Sequence, residues 1–219
     1  MSAVIHEYAH GVAALSLGDT TARDAGRLTL NPIKHLHPVG SVILPLIFIL
    51  IRSNFFIAWA KPVPFNPYRL RDYQYGPMKV ALAGPAANAA LAVLFGLTAR
   101  WLPLELNTKI DLVVGFFGAD ASVLNVLNGS FVGWLFVLAI AFCGVNLALM
   151  VFNLIPWPPL DGSKVLYAFL PEKGRQAYMM IESNFLLLML LLFALLYLGV
   201  IDVIFSYTVF PLFSLLVGL

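Results

Sequence analysis

The chain has 219 residues, of which 61% are hydrophobic and 11% are charged, and its formal net charge is +2. Soluble domains are about half apolar and about a quarter charged, so this composition excludes an ordinary soluble enzyme and indicates an integral membrane protein. The small net charge gives no support to a nucleic-acid partner, and a single cysteine, Cys143, excludes an internal disulfide. Cys143 lies in an apolar run, which is typical of a buried thiol that packs as a small hydrophobic group.

The first pattern along the chain is His6-Glu7-x-x-His10, within the sequence IHEYAHG. In a helix, positions i and i+4 lie on one face, so His6 and His10 can offer imidazole nitrogens to one metal ion. Glu7 can then reach a water on that ion, which is the H-E-x-x-H arrangement of metallopeptidases. The alternative is structural packing, but ionisable groups within a membrane are costly and usually mark a functional site.

The position of this pattern is unusual, because only MSAVI precedes His6. Five residues extend about 7.5 Å in a helix, whereas the hydrocarbon core of a bilayer is about 30 Å thick. We therefore expect the upstream part of the first helix to be missing from the chain.

Long apolar segments predict the membrane-spanning helices, each of which needs about 20 apolar residues. Residues 79–101 and 130–153 have this length, and residues 185–219 suffice for two spans or for one span plus an interfacial helix broken near Gly199. Residues 39–60 are shorter apolar runs, typical of a re-entrant hairpin or of a pair of short tilted helices. The prediction is an all-α polytopic membrane protein with about five to six transmembrane or re-entrant helices.

The charges of the loops predict the orientation of the chain. Three loops rich in lysine and arginine, at 19–38, 61–79 and 162–175, are predicted to be cytoplasmic, and the more acidic loop at 102–129 is predicted to lie outside. A short β-hairpin near the cytoplasmic side is a further expectation. Either the hairpin at 39–60 or the strand-like sequence GRLTLNP at 26–32 could hold an unwound substrate by edge pairing.

Catalytic zinc is held by three protein ligands and one water, so a third ligand is needed. Asp161 is the best candidate, because it ends the proline-rich sequence NLIPWPPLDG, which predicts a sharp, rigid turn rather than a regular helix. Alternatively, Asp161 caps a helix, or His35 or His37 from the polar loop KHLHPVG supplies the ligand.

Three segments resemble the signature segments of the site-2 protease family of intramembrane zinc metallopeptidases, in the same order: HEYAH, GPAAN at 84–88, and NLIPWPPLDG. The sequence WAKPVPFNPYRLRD at 59–72 also resembles small prokaryotic members that lack a PDZ domain. The resemblance implies one integral-membrane metallopeptidase domain over residues 1–219. It further implies one Zn²⁺ per chain, membrane-spanning protein substrates and a multi-pass location in the cell membrane.

Carried onto this sequence, the resemblance implies four residues of the catalytic centre. They are the zinc ligands His6, His10 and Asp161, and the catalytic base and proton shuttle Glu7. The segments that carry them adjoin predicted cytoplasmic loops, so the active site is expected near the cytoplasmic side.

Two asparagines have alternative roles. Asn153 could hydrogen-bond substrate or an oxyanion, or it could cap the end of the 130–153 span. Asn88 could contact substrate, although close helix packing explains the small residues around it, including Gly84.

Two other function classes remain open, a metal transporter or sensor that uses the same ligands, and a catalytically inactive membrane scaffold. A transport path would need further ligands in the membrane, and no other histidine or acid lies in the middle of a predicted span. The intact Glu7 argues against an inactive scaffold. The sequence indicates neither the physiological substrate nor the oligomeric state.

Overall fold

A computed structural model describes residues 1–50, 60–120 and 123–219 of the chain. Within these ranges the chain is helical and contains no strand; its isolated β-bridge joins Leu36 and Ala60. The α-helices are α1 (Ser2–Ser16), α2 (Thr21–Asp24), α3 (Leu44–Leu50), α4 (Gly76–Trp101), α5 (Leu106–Phe117), α6 (Val123–Leu127), α7 (Phe131–Leu154), α8 (Asp161–Phe169), α9 (Glu172–Glu182), α10 (Phe185–Tyr197) and α11 (Val200–Val217). The all-α prediction is confirmed, and the predicted β-hairpin is absent from the described part of the chain.

Three of these helices, α4, α7 and α11, are long and apolar enough to cross a membrane, and a fourth span results if the bent pair α9 and α10 is counted as one. The predicted spans at 79–101 and 130–153 correspond to α4 and α7. The apolar stretch at 185–219 divides at Gly199, whose φ of 72° lies in the left-handed region that glycine adopts without a steric penalty. The predicted total of five to six spanning or re-entrant helices is not reached within the described residues.

The region around residues 26–60 differs from its prediction. Residues 27–31 have no regular structure, so the strand expected at 26–32 is wrong. A 3₁₀ turn, Pro32–His35, follows this segment. Asn31 is its N-cap, and the Asn31 side chain accepts the Ile33 N–H at 3.0 Å. A π-type turn, Pro38–Ile43, leads into α3. The rest of the predicted hairpin, residues 51–59, lies outside the described residues.

The chain divides into two compact units, and the first comprises Met1–Ala87 and Ile155–Met179. It contains α1 to α3, the start of α4, α8 and most of α9, with a small apolar core around Ala14, Leu70 and Val80. Asp19, at 0% exposure, fixes the loop that follows α1, because its carboxylate accepts the backbone N–H groups of Thr21 and Asn66 at 3.0 and 2.6 Å.

The second unit comprises Asn88–Leu154 and Met180–Leu219, and it holds a larger apolar core. Cys143 is fully buried in this core, as predicted for a thiol that packs as a hydrophobic group. Gly96 lets α4 approach its neighbours closely, since a Cβ at this position would meet Leu216 Cβ at 2.7 Å and Cys143 Sγ at 3.2 Å.

Candidate metal centre

Three side chains of the first unit direct their donor atoms at one point. His6 Nε2 lies 3.0 Å from His10 Nε2 and 3.1 Å from Asp161 Oδ2, and His10 Nε2 lies 3.2 Å from the same carboxylate oxygen. The three side chains are only 8%, 11% and 16% exposed, so protein rather than bulk water surrounds the donor atoms. Among the described residues, this is the one group of three or more histidine, cysteine or acidic side chains with metal-binding geometry.

The arrangement fits a catalytic zinc site. Tetrahedral zinc with ligand bonds of about 2.0–2.1 Å separates its ligand atoms by about 3.3 Å, close to the three distances observed here. Two imidazole nitrogens and a carboxylate oxygen are also ligand types that zinc accepts, and three protein ligands leave a fourth position for water. Direct hydrogen bonding between two neutral imidazole Nε2 atoms would need one of them to be the donor, whereas a shared cation accounts for all three close approaches.

The orientation of His10 is set by a backbone carbonyl of α4. Its Nδ1–H donates to the oxygen of Val80 at 2.7 Å. In a neutral imidazole this leaves the lone pair on Nε2, the atom that faces His6 and Asp161. A partner that fixes the tautomer in this way is typical of metal-ligating histidines.

Asp161 is the first residue of α8, directly after the turn formed by residues 155–160. The prediction of a non-helical, proline-rich turn before Asp161 therefore holds, and the residue itself opens a helix. Leu160 is the N-cap of α8, and no side-chain capping bond is present, so the alternative role of Asp161 as a helix cap is wrong. Burial raises the pKa of the Asp161 carboxyl, but the two nearby imidazoles of His10 and His6 outweigh it and lower the pKa to about 2. The group is thus an anionic ligand at neutral pH.

Glu7 lies beside His6 on α1, and a backbone amide from a distant segment holds its carboxylate. The Val63 N–H donates to Glu7 Oε2 at 2.8 Å. A carboxylate that is fixed by one hydrogen bond can accept a proton from a water at the metal position, which is the role predicted for Glu7.

Gly84 provides the space in which the two histidine rings lie. A Cβ at this position would lie 2.5 Å from His10 Nε2 and 2.6 Å from His6 Cε1, well inside van der Waals contact. The sequence explained this glycine by helix packing alone. The available signal was an adjacent Gly84-Pro85 pair inside a long helix, since both residue types are unfavourable there and need a specific reason.

The remaining predicted site residues have hydrogen-bond partners outside the three-residue cluster. Asn88 and Asn146 are fully buried in the second unit, where Asn88 Nδ2 donates to Asn146 Oδ1 at 2.7 Å. Asn153 donates to the Leu149 carbonyl of its own helix at 2.9 Å. His35 Nε2 contacts the Thr29 carbonyl at 2.8 Å and His37 Nδ1 accepts the Gly40 N–H at 3.1 Å, and neither belongs to the three-residue cluster.

Comparison with known proteins identifies relatives over most of the chain. A Bacillus subtilis protein named "Putative zinc metalloprotease YwhC" is 31% identical over 195 residues, which are 88% of this chain and 76% of that protein. Proteins named "Putative zinc metalloprotease Rip2" are 33% identical in Mycolicibacterium smegmatis and 30% identical in Mycobacterium tuberculosis. The aligned region again covers 88% of this chain but only 63% of each mycobacterial protein. No protein-family model and no solved structure matches the chain.

Proposed function

Because this chain belongs to the site-2 protease family of membrane zinc metalloproteases, we propose that it hydrolyses peptide bonds of membrane-spanning proteins at the His6, His10 and Asp161 cluster. In this proposal the three side chains bind one zinc ion per chain, and Glu7 is the catalytic base. The single observation that carries the assignment is the convergence of three ligand atoms within 3.0–3.2 Å of one another beside Glu7.

Each residue then has a defined task. Zinc held by His6, His10 and Asp161 would act as a Lewis acid, which would lower the pKa of a coordinated water to about 7 and polarise the scissile carbonyl. Glu7 accepts a proton from the water that attacks this carbonyl and transfers it to the nitrogen of the leaving amine. The Val63 amide keeps the Glu7 carboxylate in place, and the Val80 carbonyl keeps His10 Nε2 directed at the metal position.

The proposed enzyme is a multi-pass protein of the cell membrane, with five to six transmembrane or re-entrant helices and its active site near the cytoplasmic side. The distribution of lysine and arginine among the loops supports this orientation. A peptide bond in a transmembrane helix must leave the helical hydrogen-bond ladder before it can be cut, so substrates should carry helix-weakening residues near the cleavage site. We propose that residues 1–219 act as one metallopeptidase domain.

The test combines zinc content with cleavage. Purified protein in detergent should contain about one zinc per chain, and Asp161→Ala should lose it, because two imidazoles remain where catalytic zinc needs three protein ligands. Glu7→Gln should keep the zinc but lose cleavage of a membrane-spanning model substrate, since the amide cannot accept the proton. Lys164→Ala, a change in α8 outside the cluster, should alter neither.

The alternatives give different results. A metal transporter or sensor would bind zinc but would not cleave, and Glu7→Gln would leave its zinc-dependent behaviour intact. An inactive scaffold would show no cleavage in the unaltered chain. Zinc retained in Asp161→Ala would refute the ligand assignment and direct attention to His35 and His37.

A further inference from the structure

The backbone at residues 60–63 lies beside α1, and we refer to it as the 60–63 segment. The N–H of Lys61 donates to the His35 carbonyl at 2.8 Å, next to the bridge between Leu36 and Ala60. Two residues further on, the Val63 N–H reaches Glu7 Oε2 at 2.8 Å. The segment therefore ends on the carboxylate that is proposed as the catalytic base.

Arg27 holds the carbonyl groups of the same segment. Its Nη2 donates to the Lys61 oxygen at 2.7 Å and contacts the Pro62 oxygen at 3.4 Å. The residue is only 8% exposed, although arginine is rarely buried without a specific partner. Within the described residues, its side-chain hydrogen bonds go to these two carbonyl oxygens rather than to a carboxylate. Because the buried Arg27 side chain binds the Lys61 and Pro62 carbonyl oxygens, it restricts the position of the backbone at these two residues.

The sequence around Val63 makes its amide the sole available donor at this point. Pro62 and Pro64 flank it, and proline has no N–H, so the stretch 62–64 has one backbone donor. Proline also restricts φ, which limits how far the peptide unit can rotate. The position of the Val63 N–H therefore depends on the carbonyls of Lys61 and Pro62, which Arg27 holds.

We propose that Arg27 is a positioning residue for Glu7, which it orients through the backbone of the 60–63 segment. Arg27 itself does not touch the reacting atoms. The inference rests on the proposed function, because Glu7 is the base only if the chain is a protease. The effect of Arg27 on the 60–63 segment can also be tested by a measurement that does not depend on cleavage.

The kinetic test compares Arg27→Gln with Arg27→Lys and with Arg23→Gln as a matched control. Arg23 lies four residues away, but its guanidinium is 58% exposed and pairs with Asp24. Loss of a partner that orients an active-site group typically costs about 10–100-fold, so Arg27→Gln should lower kcat by that factor with KM and zinc content unchanged. Arg27→Lys should recover part of the loss, since an ammonium can still donate to one carbonyl. Arg23→Gln should match the unaltered chain.

The second test measures hydrogen exchange of the Val63 amide in valine-labelled protein. Arg27→Gln should speed this exchange, because the amide loses its fixed position beside Glu7, whereas Arg23→Gln should leave it unchanged. An unaltered exchange rate together with an unaltered kcat overturns the role of Arg27. If Arg27→Gln does not fold, Arg27→Lys decides the question: a reduced kcat with faster Val63 exchange supports the proposal, and parent values for both overturn it.

The outcomes for the two proposals are distinguishable. The proposed function fails if the unaltered chain does not cleave the substrate, or if Glu7→Gln cleaves it as fast as the unaltered chain. This conclusion does not depend on the result for the Arg27 variants. If Glu7→Gln abolishes cleavage and Arg27→Gln does not reduce kcat, only the role of Arg27 fails.

Discussion

Gly84→Ala should weaken zinc binding through a single added methyl group. The new Cβ would lie 2.5 Å from His10 Nε2 and 2.6 Å from both His10 Cε1 and His6 Cε1. These distances are about 1 Å shorter than the optimum of about 3.5 Å between such atoms, so both rings must move. His10 has little freedom to do so, because its Nδ1 is bound to the Val80 carbonyl at 2.7 Å.

The size of the effect follows from the displaced ligands. Disturbing the groups that orient metal ligands typically costs about 10–100-fold in affinity, which corresponds to about 1.4–2.7 kcal/mol of zinc-binding free energy. Overpacking should also reduce the free energy of unfolding by about 1–3 kcal/mol. Alanine is a better helix former than glycine by about 1 kcal/mol, so a weaker helix cannot explain a loss of zinc.

The measurement is the dissociation constant of zinc, obtained by competition with a chromophoric chelator in detergent. Gly96→Ala is the matched control, because it makes the same substitution in the same helix and crowds Leu216 and Cys143 instead of the histidines. It should lower stability but leave zinc affinity unchanged. The steric argument is refuted if Gly84→Ala binds zinc as tightly as the unaltered chain, or if Gly96→Ala weakens binding equally.

Two further substitutions separate structural roles from catalytic ones. Asn88→Ala should lower the free energy of unfolding by about 1–3 kcal/mol, because Asn146 Oδ1 loses its buried donor. The zinc content should stay the same. A loss of cleavage without a loss of stability would instead indicate a direct catalytic role for Asn88. Tyr178→Phe removes a hydroxyl 3.0 Å from Ser163 Oγ, which in turn donates to the carbonyl just before Asp161. Zinc affinity should fall by about tenfold or less, because Tyr178 acts on Asp161 only through Ser163 and the Leu160 carbonyl. Tyr167→Phe changes a neighbouring tyrosine and is the control. It should leave the zinc affinity unaltered in the same chelator competition.

The grouping of the metal-binding side chains could be predicted because it depends on local rules. An i, i+4 pair of histidines faces one direction in any helix, so His6 and His10 needed no tertiary information. Asp161 required more, since a proline-rich turn predicts a fixed carboxylate but not its neighbours. The resemblance to a known family supported this choice of third ligand, and the structure brings the Asp161 carboxylate within 3.2 Å of both histidines.

The roles of Gly84, Val63 and Arg27 could not be predicted in the same way. Each depends on a contact between segments far apart in the chain, and two of the contacts use backbone atoms that every residue possesses. Side-chain patterns carry little information about such contacts. The strand expected at 26–32 failed for a related reason. The sequence GRLTLNP suggested a strand that pairs through its backbone, whereas its Arg27 side chain donates to the backbone carbonyls of Lys61 and Pro62.

The separation of the metal ligands along the chain has a consequence for biosynthesis. The ribosome adds Asp161 about 150 positions after His6 and His10. While the ribosome is still adding the intervening helices, the nascent polypeptide has only two of the three proposed zinc ligands. In the proposed enzyme, zinc binding by all three side chains therefore has to wait until the start of α8 has been synthesised.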